Sequence, residues 1–201
     1  MMTVRQIERL WNARAYPRLL HTLLTIRPEA ALRLEGDLDS RSASCAIAMI
    51  RLEELNQSHT EMYRSLLKAL IAYQSLDGSW TDPLTTSLCL RALLAGHGSG
   101  RSVDLGLSYL SNLQKDEGIW PNEPIRRMPA DAYVSAFILY QLSTYAQFRD
   151  SIRFSDAVQW FEQNEAKLDP PTRELWDRAR LRCYPRSAAR AISDQPVLVW
   201  S

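Results

Sequence analysis

With 201 residues, 46% of them hydrophobic and 23% charged, the chain can form one domain with a sizeable core but not several domains. A formal net charge of +1 exerts no overall pull toward nucleic acid or a membrane surface. No apolar run of about 18 residues occurs, so no transmembrane segment is expected. Cys45, Cys89 and Cys183 are too few and too scattered for a disulfide framework and suit buried thiols in a reducing compartment. The charged, amphipathic start is not a signal peptide, and the chain reads as cytoplasmic.

Apolar residues recur with a helical period, and no alternating run of strand length occurs, so the expected fold is all-α. A first helix is expected over about residues 3–14, with Val4, Ile7, Leu10 and Trp11 on one face. A second, from Tyr16 to Ile26, carries Leu19, Leu20, Leu23 and Leu24 and is stopped by Arg27-Pro28. A short helix follows at Ala30–Leu34, before Gly36. Asp39 then opens an apolar helix over Ala43–Leu52, whose partner spans about Thr60–Tyr73. Asp82-Pro83 supplies a capping oxygen and then proline at the first helical position, opening Thr85–Leu94. That helix stops at the glycine-rich corner Gly96–Gly100, and its partner is Val103–Leu113. After the proline-rich connection Pro121–Pro129, Asp131 opens Tyr133–Leu142, with Ser155–Glu165 as partner. Residues 172–190 hold six arginines against Glu174 and Asp177, which predicts a modestly basic last helix or tail. The stretch Ser193–Ser201 is expected to be irregular, although Val197–Trp200 is apolar enough to dock.

Two segments nearly repeat each other. Gln74 and Gln114, Gly78 and Gly118, Trp80 and Trp120 are each forty positions apart. A repeat of that length predicts stacked supersecondary units that share a core. Each member has a structural job: glutamine to satisfy backbone groups where a helix ends, glycine for a positive-φ turn, tryptophan to tie one hairpin to the next. Asp39, Asp82 and Asp131 also align, each eleven residues before an aliphatic residue: Ile50, Leu93 and Leu142. The organisation is therefore a divergent helical hairpin over residues 1–36, hairpin repeats over 37–168, and a basic helix with an irregular tail over 169–201.

The Gln-x-x-x-Gly-x-Trp spacing closely resembles the QW repeat of the terpenoid cyclases, the squalene and oxidosqualene cyclases and the protein-prenyltransferase β-subunit group. The resemblance covers roughly residues 37–165, with two well-formed motifs. It implies an α/α toroid, with inner and outer helices around an apolar cavity. A closed ring takes about six such hairpins, so the four read here form a partial toroid. Such an arc works alone, or is completed by a protein partner or a second copy of the chain. The inner faces would carry Ala46, Met49, Leu90, Ala136 and Tyr140.

The resemblance also suggests chemistry. Class II cyclases protonate an alkene or epoxide with an aspartic acid in an Asp-x-Asp-Asp type motif, and here only Asp131 stands where that motif lies. Tyr133, Phe137 and Tyr140 are the aromatics available to stabilise a carbocation, and Arg126 and Arg127 are candidate anion ligands. The Asp-rich diphosphate motif of class I synthases is absent. Cys89, His97 and Asp82 are the only set resembling a prenyltransferase zinc site, but Cys89 reads as a core thiol and His97 as a loop residue. No metal site and no cofactor are expected. The favoured reading is a non-catalytic or accessory helical-repeat module, binding a protein partner or an apolar ligand such as an isoprenoid on its concave face. The other is a class II cyclase-like enzyme using Asp131 as general acid, alone or in a complex.

Overall fold

Aspartate and threonine set where these helices begin. The Thr3 side chain accepts from the Gln6 amide while the Gln6 carboxamide accepts from the Thr3 N–H at 2.8 Å, a reciprocal cap. Asp39, Asp82 and Asp169 each accept the backbone N–H three residues on, from Ser42, Thr85 and Thr172, at 2.7–2.9 Å. The computed structural model describes residues 3–26, 38–96, 100–122 and 131–184. Among these it is all-helical: α1 (Val4–Asn12), α2 (Tyr16–Ile26), α3 (Ser40–Glu54), α4 (Glu61–Ala72), α5 (Pro83–Gly96), α6 (Arg101–Leu113), α7 (Asp131–Leu142), α8 (Ala146–Ser151), α9 (Phe154–Asn164) and α10 (Pro170–Cys183). A single 3₁₀ turn, Glu165–Lys167, precedes α10. No helix among the described residues is long and apolar enough to cross a membrane. The expected helix at Ala30–Leu34 and the apolar stretch Val197–Trp200 lie outside the described residues, as do His97, Arg126 and Arg127.

The helices pack as a central row with flanking partners. α2, α3, α5, α7 and α10 follow one another, each against the next. α1, α4 and α6 pack on α2, α3 and α5, and α9 packs on α10. The inner three helices of that row, α3, α5 and α7, are buried on nearly every side along their middle turns. Every residue of Ser42–Ile50, Pro83–Leu90 and Tyr133–Leu142 is buried. The flanking helices are one-sided: α4 buries Tyr63, Leu66 and Leu70, and α6 buries Val103, Gly106, Leu107 and Leu110.

α10 extends that row, packing on α7. It starts Asp169-Pro170-Pro171-Thr172, which repeats the Asp82-Pro83-Leu84-Thr85 start of α5. Its Trp176 is fully buried and stacks on Phe161 of α9, ring centroids 4.5 Å apart. The glycine turn missing from this unit is replaced by Arg173, whose guanidinium donates to the carbonyls of Glu165, Ala166 and Leu168. α8, which the sequence periodicity does not predict, is a six-residue helix that seats Phe148 against Trp120, ring centroids 6.2 Å apart.

Candidate functional site

The repeated turns carry the resemblance. In each, Gly at φ near +90° turns the chain back, and the residue after the glutamine closes the loop, Ser75 N–H to Ser79 at 2.9 Å and Lys115 N–H to Ile119 at 2.8 Å. Gln74 Nε2 donates to the Gly78 and Ser102 carbonyls, both at 2.9 Å. Gln114 Nε2 donates to the Gly118 carbonyl at 2.6 Å and to the Arg153 carbonyl at 3.1 Å, and its Oε1 accepts the Arg153 N–H at 2.9 Å. Ser102 begins α6 and Arg153 caps α9, so each glutamine fastens its own turn to the start of the next flanking helix. The tryptophans repeat too: the Trp80 and Trp120 indoles donate to Leu70 and Leu110, each at 2.8 Å. The Trp80 and Trp120 amides donate to Thr86 and Ser135 at 2.9 and 2.8 Å. All six repeat residues are consumed in structure.

Asp131 lies at the first residue of α7, and its carboxylate does not cap the amide three residues on as Asp39 and Asp82 do. Instead Asp131 accepts Lys115 Nζ at 2.5 Å and the Asn122 N–H at 2.8 Å, with about a quarter of its side chain exposed. Tyr133, Phe137 and Tyr140 are buried in the core, and Tyr140 carries the Arg182 guanidinium 3.8 Å from its ring centroid. Ala46, Met49, Leu90 and Ala136 are buried as well. The acid and the aromatics thus form no shared site among the described residues. Cys45, Cys89 and Cys183 are free and buried, and no cluster of potential metal ligands occurs among the described residues.

Among the described residues the most perturbed carboxyl is Asp82. It is 3% exposed, and burial pushes its pKa up to about 6 against the hydrogen bonds it accepts from Thr85. Its neighbour Asp39 raises it further. This carboxyl faces the core between two helix starts, where it is a cap.

An open site lies elsewhere. Where α1 turns into α2, Arg14 adopts a left-handed backbone, φ 54°, and brings Trp11 against Tyr16 edge to face, centroids 5.2 Å apart. The first turn of α3 sends Arg41 toward that corner, and the end of α4 supplies Ala69 and Tyr73. Together with Asn12 these residues enclose a cleft of about 550 Å³. Arg41 sits inside it with its guanidinium 3.9 Å from the Tyr73 ring centroid and 5.9 Å from that of Tyr16. Among the described residues it forms no ion pair, and the cleft lining contains no carboxylate. A second groove of about 420 Å³ is lined by Asp104, Leu107, Asn112 and three serines and holds neither a cation nor a ring.

Sequence reasoning missed the Arg41 cleft, although a signal existed. Two residues after the opening aspartate, the other repeat helices place Leu84 and Tyr133, both buried, and here stands an exposed arginine. Comparison with protein-family models, with curated proteins and with solved structures returns no match to this chain. The likeness to QW-repeat proteins therefore stands on the motif itself.

Proposed function

We propose that this chain is a non-catalytic helical-repeat module, related in design to the QW-repeat proteins, that binds a partner at its α1–α2 end. The observation that carries this reading is the Arg41 cleft: an open, cationic, aromatic-walled recess whose lining, among the described residues, contains no carboxylate, histidine or cysteine to do acid–base or nucleophilic work. The burial of Ala46, Met49, Leu90, Ala136 and Tyr140 favours recognition at this end over capture of an isoprenoid between the central helices. The engagement of Asp131 by Lys115 and Asn122 weakens the case for a general acid, which must be protonated and aimed at substrate.

Native mass spectrometry of the full chain purified from cells, paired with incubation with squalene and with farnesyl diphosphate, tests the proposal. The expected result is no retained isoprenoid and no product, with any assembly on the chain lost in Arg41→Glu. A retained isoprenoid mass, or turnover that Asp131→Asn abolishes, overturns it.

A further inference from the structure

We infer that the cleft between Trp11, Tyr16, Arg41 and Tyr73 is a carboxylate-binding site, selective for a carboxylate attached to a flat apolar or aromatic body. This identifies the chemistry of the ligand and rests on the cleft being the recognition site of the module.

Arg41 is held in place before any ligand arrives. A free arginine side chain loses considerable rotamer freedom on binding, and here much of that cost is met in advance, because Tyr73 holds the guanidinium 3.9 Å from its ring centroid, with Tyr16 beyond. Side-chain hydrogen bonds to Tyr73 and Tyr16 take some of its N–H groups and leave the others. These donate to no carboxylate or carbonyl among the described residues. A flat fork of donors matches the two coplanar oxygens of a carboxylate.

The surroundings select among anions. The start of α3, which would otherwise attract a phosphate, is filled by the Asp39 carboxylate, whose Oδ2 accepts the Ser42 N–H at 2.9 Å. That negative charge, two residues from Arg41, weighs against a dianion more than against a monoanion. Arg14 adds positive charge to the lining. The walls then describe the rest of the ligand: Trp11, Tyr16 and Tyr73 are all half-buried, presenting ring surface with polar tips. The cleft volume of about 550 Å³ suits a small organic acid or an acidic side chain with its neighbour.

The test is a titration of the isotopically labelled full chain, following the Trp11 indole N–H and the Arg41 Nε–H by NMR. The probes are 3-phenylpropionate, its amide, phenyl phosphate and inorganic phosphate. The expected result is a saturable shift of both signals by 3-phenylpropionate, with Kd on the order of 1 mM for so small a probe, and at least about tenfold weaker binding of the amide. Arg41→Gln, whose wild-type-like spectrum elsewhere reports an intact fold, loses the same factor. Equal binding of acid and amide, stronger binding of phenyl phosphate, no saturable shift by any probe, or unchanged affinity in Arg41→Gln each overturns the inference. A failure confined to these probes, with an Arg41-dependent assembly still seen by native mass spectrometry, strikes the carboxylate chemistry and leaves the module reading standing.

Discussion

Replacing Gln114 by methionine removes the carboxamide and keeps the length and most of the volume of the side chain. The wild-type carboxamide makes three hydrogen bonds, to the Gly118 carbonyl, the Arg153 carbonyl and the Arg153 N–H. The Arg153 carbonyl keeps a partner in the Ala157 N–H at 3.2 Å. The Gly118 carbonyl and the Arg153 N–H lose theirs, and Gln114 is only 8% exposed, so water replaces them poorly. Each buried orphan costs about 1–3 kcal/mol, which puts the loss near 3 kcal/mol. For a chain of this size that corresponds to a fall in Tm of about 6–12 °C. Gln74→Met gives a smaller loss, about 1–2 kcal/mol, because Gln74 is more exposed and only its Nε2 donates. Urea unfolding of the wild type and both variants, followed by circular dichroism, reads the difference. A Gln114→Met loss below about 1 kcal/mol, or one no larger than that of Gln74→Met, refutes the fastening argument.

The pKa of Asp82 is about 6 in the folded chain against 3.8 ordinarily, so the native state holds a proton that the unfolded state releases between these values. Its contribution to stability is present at low pH and is lost as pH rises from about 4 to about 6, with an upper bound near 3 kcal/mol. Asp82→Asn removes this slope: relative to wild type, the variant gains stability across that interval in pH-dependent urea melts, and parallel curves would contradict the assignment. Gly118→Ala places a Cβ 2.7 Å from the Ala157 amide nitrogen at φ 92°, and strain plus overpacking predict a loss of about 3 kcal/mol by thermal denaturation. A loss within experimental error would mean that α9 shifts freely at this contact. Asp131→Asn changes stability by less than about 1 kcal/mol, since the pair with Lys115 is partly exposed and the amide oxygen still accepts from Asn122. A larger fall in Tm would show that the pair is coupled to the core.

The helix starts were legible wherever a local rule sets them. Asp39 and Asp82 open α3 and α5, and the glutamine, glycine and tryptophan of both turns perform the fastening their spacing implies. α10 was legible as a basic helix but not as a further unit of the row, because the residue eleven after Asp169 is Arg180, where the other units place an aliphatic residue. The short α8 escaped notice because six residues hold less than two turns of periodicity. Asp131 looked like a third cap from spacing alone, but it is itself the first residue of α7, and its carboxylate is engaged by Lys115 and Asn122. The cleft was illegible for a different reason. Trp11, Tyr16, Arg41 and Tyr73 come from four separate helical elements, and only their packing brings them together.

The glutamine contacts join neighbours only. Gln74 reaches α6 and Gln114 reaches α9, and in neither case does the carboxamide contact a unit further along. Local opening should therefore spread like a zipper, unit by unit. The amides of α5 and α7, held on both sides by neighbouring central helices, would exchange with solvent last. Those of α1 and α2, which show no such fastener among the described residues, would exchange early. The Trp11–Tyr16 corner belongs to this looser end, and an occupied cleft would protect these amides selectively, because Arg41 of α3 and Tyr73 at the end of α4 lie on its far wall.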